Sequence, residues 1–206
     1  LAAVDRAVTP WVIAMSHYPL YTSQLADDPA DDYASGPLSD KAWLNAEECE
    51  FCGHCRECDP PGWAPAVASD ATLGDARSDL EPLFYEFGVD IYWAGHVHYY
   101  QTFDGPLYAG ALVGDAPPGA SAYDNPPGVL HVCSGNGGPP SPSSCDGLAD
   151  RNCIAQPYSY TRLVAHNATD LSWVQISNAD GSVIDEWTVH QEKHGPFPVP
   201  AAASRA

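Results

Sequence analysis

Positive charge is scarce in this chain. Lys and Arg together number eight against 27 Asp and Glu, a formal net charge of -19 over 206 residues. Phosphate backbones are held by Lys and Arg, so this balance excludes a nucleic-acid partner, while acidity itself speaks mainly to solubility. Long apolar runs are missing too. None approaches the ~20 residues that cross a bilayer, so no membrane span is expected. The opening "LAAVDRAVTPWVI" has no basic start, no long apolar stretch and no Met. It therefore does not read as a signal peptide, and the chain is expected to begin inside a longer protein. What remains is globular: 45% hydrophobic and 11% aromatic residues, in a length that suits one domain with a sizeable core.

Short apolar runs supply the architecture. "PWVIAM", Pro10 to Met15, reads as a buried strand. Tyr21 to about Asp75 is rich in Pro, Gly, Asp and Ala without a period, a long surface excursion. "SDLEPLFYEFG" reads as a helix with Leu80, Leu83, Phe84 and Phe87 on its buried face. Ser78 and Glu81 have the spacing of a capping box, Pro82 suits only an early position, and Gly88 suits the stop. "VDIYWAG" is a second buried strand. Strand, helical crossover and strand make a βαβ unit with parallel strands. The second half is strand-like: "GVLHVCSG", "SYTRLVAHN", "TDLSWVQISN" and "SVIDEWTVH", with a hairpin turn at "NADG". Leu171, Trp173 and Gln175 share one face of their strand and Val174 and Ile176 the other, which suggests a sheet covered on both sides. "HGPFPVPAAASRA" reads as a mobile tail.

Histidines carry the chemical signal. In an open α/β sheet, ligands gather beyond the carboxyl ends of the strands. His17 follows the first strand, and His96 and His98 follow the second in "AGHVH". Neutral imidazole is a common ligand for zinc and iron. Gly95 would let the chain turn, and His96 and His98 would share one side of an extended stretch. Tyr99 could border a substrate cleft or pack inside. His131 reads as a strand residue, and Asn136 as part of a tight turn. His54, His166, His190 and His194 have no convergent partners in sequence. Cys49, Cys52, Cys55 and Cys58 in "CEFCGHCREC" could form two disulfides in an oxidising compartment, or bind zinc. Cys145 and Cys153 are expected to bridge each other, which leaves Cys133 over. Asn167 opens "NAT", a glycosylation sequon.

Taken in order, these segments resemble a known family. "GVDIYWAGHVHYYQ" resembles the GHxH metal motif of the purple acid phosphatases, and "VDRAVTPWVIAMSHYPLYTS" their preceding His-bearing strand. "LEPLFYEFGVD", "GVLHVCSGNGG" and "LVAHNATDLSWVQISNADGSVIDEWTV" are similar to the family's helix before the GHxH strand, its later strand and loop, and its closing hairpin. The resemblance covers roughly residues 1–26 and 76–190. It implies the C-terminal part of a two-sheet α/β metallophosphoesterase sandwich, a parallel βαβ unit followed by antiparallel strands. Residues 1–125 would be the C-terminal part of the catalytic domain, with a Cys-rich insertion at about 27–75. Residues 126–190 would be the family's C-terminal region in the same structural domain, and 191–206 a tail.

The resemblance also implies an acid phosphatase that hydrolyses small phosphate monoesters at a dinuclear centre of iron(III) and a divalent zinc, manganese or iron. His17 and His96 would bind the divalent metal and His98 the iron. A secreted or vacuolar-lumen location follows from the same likeness. The family's GDxxY, GNH(E/D) and DxG motifs do not precede His17, so no catalytic residue is assigned, and this chain alone is not expected to assemble the centre. Two other expectations stand beside this one: a secreted or surface binding module that kept the fold without catalysis, and a zinc adaptor built on the Cys cluster.

Overall fold

A computed structural model of the chain describes residues 1–17, 19–21, 76–95, 98–109, 111–137, 150–154 and 157–200. The excursion with Cys49, Cys52, Cys55 and Cys58 lies outside them, as do His54, His96 and Cys145. The elements run β1 (Ile13–Met15), α1 (Ala76–Glu86), β2 (Ile91–Ala94), β3 (Tyr100–Phe103), β4 (Leu107–Tyr108), β5 (Ala111–Leu112), β6 (Ala122–Asp124), β7 (Leu130–Ser134), β8 (Asp150–Ile154), β9 (Ser159–Ala165), β10 (Asp170–Ser177) and β11 (Val183–His190). Among the described residues no helix is long and apolar enough to cross a membrane.

Two main sheets form. The first has the order β1-β2-β7-β3-β8 and the second β6-β11-β10-β9, with a small β4-β5 hairpin beside them. β1, β2 and β7 run parallel, and β3 and β8 complete that sheet antiparallel. In the second sheet β9, β10 and β11 are antiparallel, and β6 joins β11 in parallel.

Alternation along β2 explains how the layers pack. A strand presents successive side chains to opposite faces. Ile91 and Trp93 face the second sheet, where Ile91 joins Leu130, Val132, Leu171, Trp173, Trp187 and Val189 in one core. Trp173 and Trp187 are register partners whose rings stack at 5.3 Å. Tyr92 and Ala94 face the helix and join Phe84, Tyr85, Val89, Val129 and Phe197 in the other core. β2 thus packs apolar side chains on both faces, which is why its stretch Ile91–Ala94 reads as an unbroken apolar run.

The structure departs from the sequence reading in α1 and after β11. The helix buries Glu81, Phe84 and Tyr85, whereas Leu83 is exposed. Glu81 is not a capping residue: α1 begins at Ala76, and the Glu81 carboxylate accepts the Tyr21 hydroxyl and the Ala109 N–H. Pro82 stands inside the helix. The segment after β11 is not loose up to Phe197, because Phe197 is buried against Tyr85 and its N–H donates to the Tyr85 carbonyl at 2.9 Å. Charge also reaches the interior. Arg151 of β8 donates from Nη1 and Nη2 to Asp185 of β11 at 2.5 and 2.6 Å, and Tyr100 of β3 donates to the same carboxylate at 2.6 Å. This clamp ties the two sheets together. Burial first, and then the Asp185 charge, push the Tyr100 phenol well above its ordinary range.

Candidate metal centre

The parallel pairing of β1 and β2 continues past both strands. Ser16 N–H donates to the Trp93 carbonyl at 3.1 Å, and Gly95 N–H to the His17 carbonyl at 3.0 Å. His17 is therefore held beside Gly95 at the carboxyl edge of the sheet, where its side chain is exposed. His98 lies three residues beyond Gly95 and is half-buried. Between them, His96 lies outside the described residues. Gly95 itself has no positive φ, and among the described residues a Cβ there would meet only the His17 carbonyl, at an ordinary 3.8 Å. The turn therefore makes no conformational demand for glycine, contrary to the sequence expectation.

The loop after β7 fastens this edge from the other side. Gly135 N–H donates to the Tyr99 carbonyl at 3.1 Å, and Cys133 Sγ to the Gly95 carbonyl at 3.0 Å. Tyr99 is fully buried, so its ring packs inside rather than bordering a cleft. Asn136 is fully buried as well and is more than a turn residue. Its Oδ1 accepts from Gln175 Nε2 at 3.3 Å, and its Nδ2 donates to the Pro157 carbonyl at 3.4 Å. Gln175 also donates to Ser159 Oγ at 2.6 Å and accepts from Thr161 Oγ1 at 2.7 Å. A buried amide with every group engaged fixes the loop that abuts the His98 segment. The signal for it in sequence was one polar residue, Gln175, on the inward face of a strand shared with Leu171 and Trp173.

Asp90 sits at the amino end of β2, away from this edge. It accepts from Arg6 Nη2 at 2.8 Å and from the Val12 N–H at 2.7 Å, and His194 Nδ1 lies 3.1 Å from its other oxygen. Burial raises its pKa, against the lowering effects of the Val12 N–H, Arg6 and His194. It is an anchor for the strand rather than a ligand. His194 Nε2 also donates to the Ala168 carbonyl at 2.6 Å, and His166 pairs with Ser172 at 2.8 Å. Cys153 is disulfide-bonded, with its partner outside the described residues, and Cys133 is a buried thiol.

His190, too, has a partner the sequence did not reveal. Its Nδ1 lies 2.8 Å from Asp170 Oδ1. That hydrogen bond is the main cause holding the Asp170 carboxyl at about 2, and it raises the His190 pKa. The Asp170 contribution to stability is present above the ordinary carboxylate range and fades as pH falls toward about 2. The His190 contribution is present below the ordinary imidazole value and fades as pH rises through the raised one. The pair is therefore at full strength between those limits. Replacing Asp170 by Asn should lower the His190 pKa in an NMR titration; an unchanged curve would contradict the pairing.

The architecture matches part of a purple acid phosphatase structure. The structure of purple acid phosphatase PPD1 from yellow lupin (Lupinus luteus) seeds superposes with a TM-score of 0.64 at 21% identity, over 98% of this chain and 30% of that chain. Residues 128–186 match the family described as iron/zinc purple acid phosphatase-like protein C, so the chain carries a purple acid phosphatase-like C-terminal region. "Acid phosphatase type 7" of Danio rerio is 30% identical over 203 residues, which span 93% of this chain and 37% of that protein. "Acid phosphatase" of Aspergillus ficuum is 27% identical over 207 residues, 94% of this chain and 26% of that protein. The chain thus spans only about a quarter to somewhat over a third of the relatives it matches.

The donors at the strand ends fit a metal in kind. His17 is accessible and His98 half-buried, and neutral imidazole suits zinc and iron. Among the described residues, however, no group of three or more His, Cys, Asp or Glu gathers into a complete ligand set.

Proposed function

We propose that this chain contributes the imidazole side of a dinuclear centre in a phosphate-monoester hydrolase. His17 and His96 would hold a divalent metal, and His98 an iron(III). The observation that supports this reading is the Gly95 N–H bond to the His17 carbonyl, which sets two histidine-bearing strand ends side by side. Two metals bound there would supply hydroxide and offset charge on phosphoryl oxygens. The chain's own part is orientation: the β1–β2 ladder holds His17, and the Gly135–Tyr99 bond holds the backbone next to His98. Each imidazole must be neutral to ligate, so strong acid works against metal binding. Carboxylate ligands would come from a segment with the family's upstream motifs. The Cys153 disulfide supports an oxidising compartment, the secretory or vacuolar lumen.

The test joins this chain to the corresponding upstream segment of the Danio rerio relative and assays a generic phosphomonoester, with bound iron and zinc measured in parallel. Replacing His96 and His98 by Ala should lower both activity and bound metal at least tenfold. Activity and metal content that survive both replacements would sink the assignment, and metal retention without activity would favour a binding module.

A further inference from the structure

Two loops meet on one side chain of α1. Glu81 lies three and four residues before Phe84 and Tyr85, on the same face of the helix, and is only 3% exposed. A carboxylate buried beside aromatic rings costs free energy unless directed hydrogen bonds offset it. Here both oxygens are engaged, and by different loops. Oε1 accepts the Tyr21 hydroxyl, and Oε2 accepts the Ala109 N–H at 2.8 Å.

Ala109 follows β4 with a φ of +48°, a left-handed conformation that a residue with a Cβ keeps only where its surroundings hold it. Beside it the Tyr85 hydroxyl donates to the Leu107 carbonyl at 3.0 Å, and the Tyr85 and Tyr108 rings meet edge to face at 4.6 Å. The helix and the β4–β5 hairpin therefore form one platform. Tyr21 docks onto it. This residue is 2% exposed, packs with Phe103 and Leu107, and sets its ring at right angles to that of His131 in β7 at 4.7 Å. It stands four residues after His17, with buried Pro19 between them. Proline fixes its own φ and restricts the residue before it, so this span has little slack. Apolar packing alone is non-directional. The hydrogen bond to a carboxylate is directional and strong, and it gives the span one register.

We propose that Glu81 is a positioning residue for the histidine edge. Through the Tyr21 hydroxyl it fixes the course of the chain leaving β1, and with it the His17 backbone whose carbonyl receives the Gly95 N–H. Its effect on a bound metal rests on the role proposed for His17, whereas its effect on the backbone does not.

Amide hydrogen exchange of the full chain separates this role from general stability. The Gly95 N–H reports the edge, and the Trp173 N–H, in the inner strand β10, reports global unfolding. Tyr21→Phe keeps the ring and removes the hydroxyl. It should speed Gly95 exchange about tenfold relative to Trp173. Glu81→Leu should do the same, and Glu81→Gln, which keeps an oxygen for Tyr21, should fall nearer the wild type. An unchanged ratio of the two rates in Tyr21→Phe would overturn the proposal. Zinc affinity is the second readout, measured on the chain joined to the Danio rerio upstream segment. Tyr21→Phe should weaken it about tenfold, as loss of a group that orients a ligand does. Zinc lost in His17→Ala but held at wild-type affinity in Tyr21→Phe would also overturn the proposal. Wild-type affinity in His17→Ala would instead count against the metal reading, and the exchange ratio would still decide the role of Glu81.

Discussion

Replacing Asp185 by Ala is expected to lower folding stability by about 3–5 kcal/mol, because it strands a buried charge. The Asp185 and Arg151 side chains are each only 5% exposed. Arg151 spends two donors on the carboxylate and reaches Thr102 Oγ1 and the Glu186 carbonyl with the same two nitrogens. Tyr100 donates its hydroxyl to Asp185 and accepts from Trp187 Nε1 at 3.1 Å. Without the carboxylate, the guanidinium keeps its charge without its partner in a site only 5% exposed, and the Tyr100 hydroxyl loses its acceptor. Urea unfolding followed by tryptophan fluorescence reads the effect directly. An added control separates the net worth of the pair from the penalty of breaking it. Replacing Arg151 by Met and Asp185 by Leu together removes both charges, and should cost far less than Asp185→Ala or even stabilise. A single-variant loss under about 1 kcal/mol would mean that the pair behaves like a solvated surface bridge.

The second large effect is expected at Gly88. Its φ is +61°, and a Cβ there would lie 1.9 Å from the Gly195 carbonyl oxygen. Replacing it by Ala combines two costs. The left-handed conformation of a residue with a Cβ costs about 1–2 kcal/mol. Displacement of the Gly195 backbone undocks Phe197, whose burial is worth about 1.5–3 kcal/mol. The sum is about 3 kcal/mol or more. A separate readout follows from the route of the damage: trypsin should cut after the exposed Lys193 faster in Gly88→Ala than in the wild type. Phe197→Ala should speed the same cleavage with a smaller loss of stability, since it lacks the backbone cost. Wild-type stability and cleavage rate in Gly88→Ala would refute this account.

Local signals carried the sequence reading where neighbours in sequence are also neighbours in space. β1, β2, the helix between them and the β10–β11 hairpin all declare themselves by apolar runs and turn residues. β3 and β8 did not. "YQTF" and "DRNCI" carry polar residues that only make sense once the clamp among Arg151, Tyr100 and Asp185 is formed across the sheets. The same limit applies to His190 and His194, whose partners Asp170 and Asp90 lie 20 and 104 residues away, and to Glu81, which looked like a cap because its donors, Tyr21 and Ala109, are remote. At the candidate site, the apolar runs before His17 and Gly95 end where β1 and β2 end. The Gln175–Asn136 amide pair that steadies it was hidden, because a buried Gln is satisfied only by groups far away in sequence.

The anchor at Asp90 has a consequence for biosynthesis. Arg6 and His194 reach it across 84 and 104 residues of chain. Contacts of such span close late, because loop closure must be accomplished before they contribute. During synthesis, Arg6, β1 and β2 emerge long before His194 does, so a ribosome-bound chain lacks the His194 side of the anchor. Until residue 194 is released, the apolar strands of the first sheet are open to wrong partners and to chaperones. Closing the His194 contact is therefore a step that must wait for release of the chain's last residues.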